Sequence, residues 1–337
     1  MLTGNIDVLK DGLSSPRKIV ITTHQKPDGD AMGSSLAMYH YLIGRGHHVT
    51  VVAPTDYPDF LKWLPGNDKV VIYEQKKMPA EKAIQEADIV FCLDFNALQR
   101  IQPIDGLIRD ALSYKILIDH HLEPEEFTDL RFWNIKASST CELVYDFIQL
   151  LEETPQLSLD CCTCLYTGLL TDTGSFTNGA TTAKAMKLGA QLLENGINFM
   201  EIQEKLFNNN SESRMRFIGN SLLNKMVIVP EIETAYITVN KEDGRQFNLQ
   251  PGDTEGLVNY PLGIKGIKLA ILIKEEPGII KLSFRSKGDL NVNEFARQHF
   301  SGGGHKNAAG GKSNERLDTV IKKIIDLLKL SKAKKKI

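Results

Sequence analysis

Short apolar runs and longer amphipathic stretches alternate along the first half of the chain. KIVITTH (18–24), HHVTVVAP (47–54), DKVVIY (68–73), DIVFCLDF (88–95) and YKILIDHH (114–121) are rich in β-branched residues and nearly continuously apolar. Strands without polar alternation are buried on both faces, as in a parallel sheet covered by helices. SSLAMYHYLIGRG (34–46) has helical spacing and glycines at its end, so successive βα units and a doubly wound sheet are predicted. From about 138 to 225 the pattern turns mostly helical. CELVYDFIQLLEE, LDCCTCLYTGLLTDTG, TTAKAMKLGAQLLENG and INFMEIQEKLFNN read as four successive helices, and SESRMRFIGNSLLNKM as a connecting one. MVIVP, TAYITVN, KLAILIKEE and GIIKLSFRS then read as strands of a smaller domain, followed by the amphipathic RLDTVIKKIIDLLKL and a solvated basic tail. The expected architecture is α/β. An N-terminal doubly wound, mainly parallel domain takes residues 1–200, a helical linker 201–225 and a smaller C-terminal mixed α/β domain 226–337, with an active-site cleft between the two domains.

Composition narrows the function classes. At 337 residues the length suits two domains, and 24% charged and 42% hydrophobic residues are ordinary for a globular protein. A formal net charge of −2 argues against a broad basic surface for duplex nucleic acid, though not against a local cationic pocket for a small anion. No apolar run approaches the roughly 18 to 20 residues of a membrane span. MLTGNIDVLKDGL carries acids and lacks the apolar centre of a signal peptide, so the expected compartment is the cytoplasm, with no membrane partner. The five cysteines, Cys92, Cys141, Cys161, Cys162 and Cys164, include no second paired cluster as a zinc site would want, and read as buried core thiols.

The candidate chemistry lies at strand ends, where open α/β sheets bind ligands. His24, Asp28 and Asp30 follow the first strand, Asp94 closes the run at 88–95, and Asp119, His120 and His121 close the run at 114–121. Asp172 ends a helical apolar run in GLLTDTGSF. Each cluster alone has a structural explanation: Pro-Asp-Gly is turn chemistry, and Asp94 or Asp172 could cap a helix. Together they change the balance, because so many carboxylates and imidazoles at one sheet edge would repel one another unless a cation neutralised them. Carboxylate and imidazole without thiolate suit manganese, with magnesium, cobalt, iron or zinc as competitors. Four aspartates and two histidines exceed one ion's needs and suit two ions sharing a bridging carboxylate, the arrangement used for in-line displacement at phosphorus.

HQKPDGDAMGS, then LD, DHH and TDTGSF, resemble in that order the motifs of the DHH phosphoesterases, and FSGGGHKNAAGG (300–311) resembles the signature of the DHH-associated C-terminal domain. The compact size is similar to the oligoribonuclease/pAp phosphatase branch. RecJ exonucleases carry more domains, and membrane-bound cyclic-di-AMP phosphodiesterases carry transmembrane and sensory segments. The resemblance implies two manganese ions, with magnesium or cobalt as substitutes. One is held by His24, Asp28 and Asp94, the other by Asp30, His120 and Asp172, with Asp94 as the bridge. It implies that Asp119 orients a ligand imidazole and that His121 faces the substrate phosphate. A homodimer is expected only at the level of the family.

In the second domain, Gly302, Gly303 and Gly304 let backbone amides approach a phosphate or base, and His305 can bond a phosphate oxygen. A plain glycine-rich turn is the alternative. Arg285 is either an exposed edge-strand arginine or the guanidinium for a terminal phosphate, a choice the resemblance tips toward phosphate, with Ser286 assisting. Asn293 reads as a helix cap, and the roles of Asn178, Arg214 and Arg216 stay open between cleft and surface. The expected function is hydrolysis, by two-metal activation of a water, of short single-stranded oligoribonucleotides to 5′-mononucleotides and of 3′-phosphoadenosine 5′-phosphate (pAp) to AMP. Linear pApA and cyclic-di-AMP are additional candidates. The rivals are a pyrophosphatase or short-chain polyphosphatase, and a non-catalytic nucleotide-binding regulator.

Overall fold

The structure, a computed structural model, describes residues 1–177 and 179–334 and divides into two units, Met1–Asn209 and Asn210–Ile337. In the first, β1 (Leu2–Thr3) and α1 (Ile6–Gly12) precede β2 (Lys18–Thr22), α2 (Gly29–Ile43), β3 (His48–Ala53) and β4 (Val71–Ile72). Then come α3 (Lys77–Gln85), β5 (Ile89–Leu93), α4 (Asp105–Asp110), β6 (Tyr114–Asp119) and β7 (Leu130–Trp133). Four helices complete the unit: α5 (Thr140–Leu151), α6 (Leu159–Thr173), α7 (Ala183–Glu194) and α8 (Phe199–Phe207).

The seven strands take the order β1-β7-β6-β5-β2-β3-β4, parallel except for β1 against β7. Their apolar continuity has the expected cause. Ile19, Ile21, Phe91, Leu93, Ile116 and Ile118 face one core, shared with α2, α5 and α6. The alternate residues Val20, Val90, Cys92 and Leu117 face another, shared with α3 and α4. The chain leaves β2 toward β3 on one side and returns to β5 on the other. The carboxyl ends of β2 and β5 therefore flank the switch point at which such sheets form crevices.

The second unit contains α9 (Glu212–Asn220), β8 (Met226–Val229), β9 (Thr234–Val239), α10 (Lys241–Gln246), β10 (Leu269–Glu276) and β11 (Ile279–Ser286). It ends with α11 (Val292–Phe300), β12 (Gly303–His305), β13 (Ala308–Ser313) and α12 (Leu317–Lys334). Its mixed sheet has the order β12-β13-β11-β10-β9-β8, with only β9 and β10 parallel. One face packs on α11 and α12 through Phe284, Phe300 and Ile324, and the other on α9 through Phe217 and Ile218. The stretch 201–225 is divided between the units, since Ile202 and Leu206 join the first core and Phe217 and Ile218 the second. Among the described residues no helix is long and apolar enough to cross a membrane.

Candidate metal centre

Each strand-end motif folds for a local reason and delivers a donor as it does so. Asp28 is the N-cap of α2: its Oδ1 accepts from the amides of Asp30 and Ala31, both at 3.1 Å. Its Oδ2 lies 3.8 Å from His24 Nε2, so one oxygen caps the helix and the other is turned toward the neighbouring imidazole. Asp30, in the first turn of α2, is buried. Asp94 follows β5 in the left-handed region (φ 63°), and its amide donates to Ile118 O at 3.1 Å. It caps no helix. Asp172 lies in the last turn of α6, before Gly174 at φ 56°. His120 is buried after β6, its Nδ1 3.3 Å from Ala137 O, which leaves Nε2 to face the carboxylates.

The donors form two groups. His24 Nε2 lies 3.4 Å from Asp94 Oδ2, in a group with Asp28. His120 Nε2 lies 3.3 Å from Asp172 Oδ2, 3.7 Å from Asp94 Oδ1 and 3.8 Å from Asp30 Oδ2. Asp94 thus offers one oxygen to each group. His121 also approaches this carboxylate, its Nδ1 3.7 Å from Asp94 Oδ1, but its shorter contacts are to Asp119, whose Oδ1 is 2.8 Å from its Nδ1 and whose Oδ2 accepts from its amide at 3.1 Å. The imidazole that Asp119 orients is therefore His121, with His120 oriented by a carbonyl. Trp133 Nε1 donates to His121 O at 2.6 Å, a contact no motif announces. The thiols stay out of the donor set: all five cysteines are free and buried, and burial next to Asp30 pushes the Cys141 thiol well up.

Electrostatics tests whether this set fits divalent cations. Burial and the charge of Asp94 push Asp30 up to about 7. Burial alone would lower His24, but its hydrogen bond to Asp94 and the charge of Asp28 raise it, and the charges of Asp30 and Asp94 raise His120 likewise. Burial of Asp94 is outweighed by its bond to His24 and by the neighbouring imidazoles, which hold it below the usual range. Without a cation the pocket must retain protons, which a divalent first-row cation, suited to hard oxygen and imidazole donors, would replace.

A pH dependence follows. Between about 4 and 7 the folded Asp30 binds more protons than the unfolded, so its contribution to stability falls as pH rises. The raised histidines contribute stability that is present below their ordinary value and lost as pH climbs through the folded one. Asp94 acts only below its own ordinary value, outside this window. The melting temperature of cation-free protein should therefore fall from about pH 5 to pH 8, and added manganese should raise it most at pH 8. A cation-free melting temperature that climbs over that range would contradict this electrostatic account.

Close helix crossing brings Asp172 to Asp30. A methyl on Gly33 would stand 2.6 Å from Cys164 O. On Gly29 it would overlap Thr171, and on Gly168 it would overlap Cys141 Sγ and lie 2.8 Å from Asp30 Oδ1. Only bare backbone at these positions allows α2 and α6 to approach so closely.

In the second unit Arg285 sits on β11, paired with Ala270 and Ala308, its Nη1 donating to Phe284 O at 3.0 Å. Ser286 is engaged within its own loop: its hydroxyl donates to Leu290 O at 2.6 Å and accepts from Asn307 Nδ2 at 2.8 Å. The glycine signature forms the edge hairpin β12–β13 rather than a free loop. A Cβ on Gly302 would overlap Gly310 O, and one on Gly304 would lie 2.5 Å from Ala308 O. His305 ends β12 opposite Ala308. The cap of α11 is Asn291, not Asn293. Asn293 is the second residue of the helix, in its first turn, and its Oδ1 is buried without a hydrogen-bond partner, 3.7 Å from a Cβ placed on Gly303. Arg214 clamps the carbonyls of Asp253 and Glu255 at 3.2 and 2.9 Å, and Arg216 pairs with Glu212 along the helix surface. Asn178 lies outside the described residues.

Comparison with known proteins agrees with these two units. The family description "DHH family, N-terminal domain" matches residues 18–169, and "DHHA1 domain" matches residues 227–330. The bifunctional oligoribonuclease and PAP phosphatase NrnA of Thermus thermophilus is 30% identical over 87% of this chain and 83% of its own length. The protein of the same description from Bacillus subtilis is 26% identical over 87% and 88%. The crystal structure of an exopolyphosphatase-related protein from Bacteroides fragilis matches with a TM-score of 0.93 and 38% identity, covering 98% of this chain and 97% of that one. RecJ of Thermus thermophilus, solved with Mn2+, shares the fold alone, at a TM-score of 0.53 and 12% identity over 90% of this chain and 51% of that one.

Proposed function

This chain belongs to the DHH family, and from that membership and its donor geometry we propose that it is a phosphoesterase working with two divalent cations, manganese by preference. Its substrates are short oligoribonucleotides, cleaved to 5′-mononucleotides, and pAp, cleaved to AMP, with pApA and cyclic-di-AMP as further members of the same class. The observation that carries the reading is the pair of donor groups meeting at Asp94, one oxygen turned to each. Relatives named as oligoribonuclease and PAP phosphatase over most of this chain support the substrate class.

His24, Asp28 and Asp94 would hold one cation, and Asp30, His120, Asp172 and Asp94 the other. When bound, such a pair supplies an activated water and positive charge for the phosphate oxygens. His121 places its Nδ1 against Asp119, and with Nε2 turned to the phosphate a proton there is donated to a phosphate oxygen or to the leaving group. In the second unit Arg285, His305 and the amides of Gly303 and Gly304 read the distal phosphate and nucleoside, Gly302 N being spent on Ala296 O at 3.2 Å, and the unpartnered Asn293 Oδ1 offers an acceptor to the nucleoside.

The test is one manganese-supplemented assay over pAp, di- to pentaribonucleotides, cyclic-di-AMP, pyrophosphate and tripolyphosphate. Turnover of pAp and the short RNAs well above pyrophosphate is expected. The kinship to an exopolyphosphatase-related protein makes a short-chain polyphosphatase the second reading, and the reverse ranking would establish it. Arg285→Ala should raise KM about tenfold or more for substrates with a terminal phosphate, the size of a lost charge-assisted hydrogen bond. Equal losses on phosphorylated and unphosphorylated dinucleotides would remove Arg285 from that role.

A further inference from the structure

We propose that Thr140 is a positioning residue that fixes how Asp94 divides its two oxygens between the donor groups. The segment Ala137–Cys141 supplies no candidate ligand, yet it touches three of them. Ala137 O faces His120 Nδ1 at 3.3 Å. The amides of Thr140 and Cys141 donate to Asp30 Oδ2 at 2.6 Å and Oδ1 at 2.9 Å. The Thr140 hydroxyl donates to Asp94 Oδ1 at 2.9 Å.

A carboxylate turns freely about its terminal torsion unless something holds it. Asp94 Oδ2 faces the His24 group and Oδ1 faces the His120 group, and the Thr140 hydroxyl bonds only the second. It therefore pins the carboxylate plane across both groups and leaves Oδ1 one lone pair for a cation. The segment does not depend on this bond for its own shape. Ser138 N donates to Glu142 Oε2 at 3.0 Å, Ser138 Oγ to Ala180 O at 2.6 Å, and buried Glu142 is paired with Lys184 at 3.3 Å. Thr140 is fully buried, so valine fills its place and removes the donor alone. Partners that orient ligands from behind are worth roughly 10- to 100-fold in metal affinity.

The inference rests on the two-cation reading, and calorimetric titration of Mn2+ into metal-stripped full-length protein separates the two. Wild-type protein should take up two equivalents. Thr140→Val should bind with about 10- to 100-fold weaker affinity, while Thr140→Ser, which keeps the hydroxyl, should stay close to wild type. With the valine variant, the manganese concentration giving half-maximal turnover should rise while KM for pAp holds. Should wild-type protein bind no Mn2+, the cation reading itself falls. Wild-type uptake by Thr140→Val, or weakening by serine equal to that by valine, overturns the positioning role alone. So does a lowered cation-free melting temperature with uptake unchanged, which would assign Thr140 to packing. If the valine variant fails to fold, Thr140→Ala takes its place in the same titration.

Discussion

Replacing Asp94 by asparagine should lower kcat/KM by at least about 10³-fold for every substrate, equivalent to ~4 kcal/mol of transition-state stabilisation. Each of the other candidate ligands serves one donor group, whereas Asp94 faces His24 through Oδ2 and His120 through Oδ1, so its loss damages both. Asparagine is the informative replacement. Asp94 sits at φ 63°, a conformation that asparagine tolerates and alanine does not, so the backbone survives while the charge is removed. The amide also keeps an oxygen for the Thr140 hydroxyl. Melting near the wild-type temperature together with lost turnover on pAp and on dinucleotides is the expected pattern. Activity within tenfold of wild type, or a loss confined to one substrate, would show that the two groups do not act through this carboxylate.

The second large effect is expected at Gly168. An alanine methyl there would collide with Cys141 Sγ and press to 2.8 Å from Asp30 Oδ1 and 3.0 Å from Asp30 Cα. Neither neighbour can yield cheaply. Cys141 is enclosed in the core, and the Asp30 carboxylate is tied to the amides of Thr140 and Cys141. Overpacking of this kind costs about 1–3 kcal/mol, which for a unit of this size lowers the melting temperature by roughly 2–12 °C. Separation of α6 from α2 also moves Asp172 from Asp30, so turnover should drop steeply at ordinary manganese concentrations. Gly219→Ala, at an exposed helical glycine with no atom within 4 Å of the added methyl, is the control and should melt no lower than the wild type, alanine being the better helix former. An unchanged Gly168→Ala protein would mean that the helices have room to separate.

Burial on both faces made the central strands legible: Ile19–Thr22, Ile89–Leu93 and Lys115–Asp119 carry no polar alternation because helices cover each side. The expected strand at 68–73 shrinks to Val71–Ile72, since Asn67–Lys69 closes a 3-10 turn and only two residues pair at the sheet's edge. Strands β1 and β7 escaped notice because two and four residues are too few to show a period. β13 read as a glycine-rich loop. Its glycines lie against β11 and Phe300, where Gly311 leaves no room for a side chain. The donors could be found because carboxylates and imidazoles following apolar runs are conspicuous. Their supports could not, because a backbone amide at Cys141, a carbonyl at Ala137 or a hydroxyl at Thr140 looks the same in any helix entry.

The donors enter the chain between His24 and Asp172, from three strands and two helices. Halfway through its synthesis the first unit holds only His24, Asp28, Asp30 and Asp94, and α6, which carries the last donor, also packs the core on which they rest. A cation held by the complete set would therefore bind only once α6 has been made and packed. If binding waits for that packing, protein refolded in one metal and transferred to another should report the second.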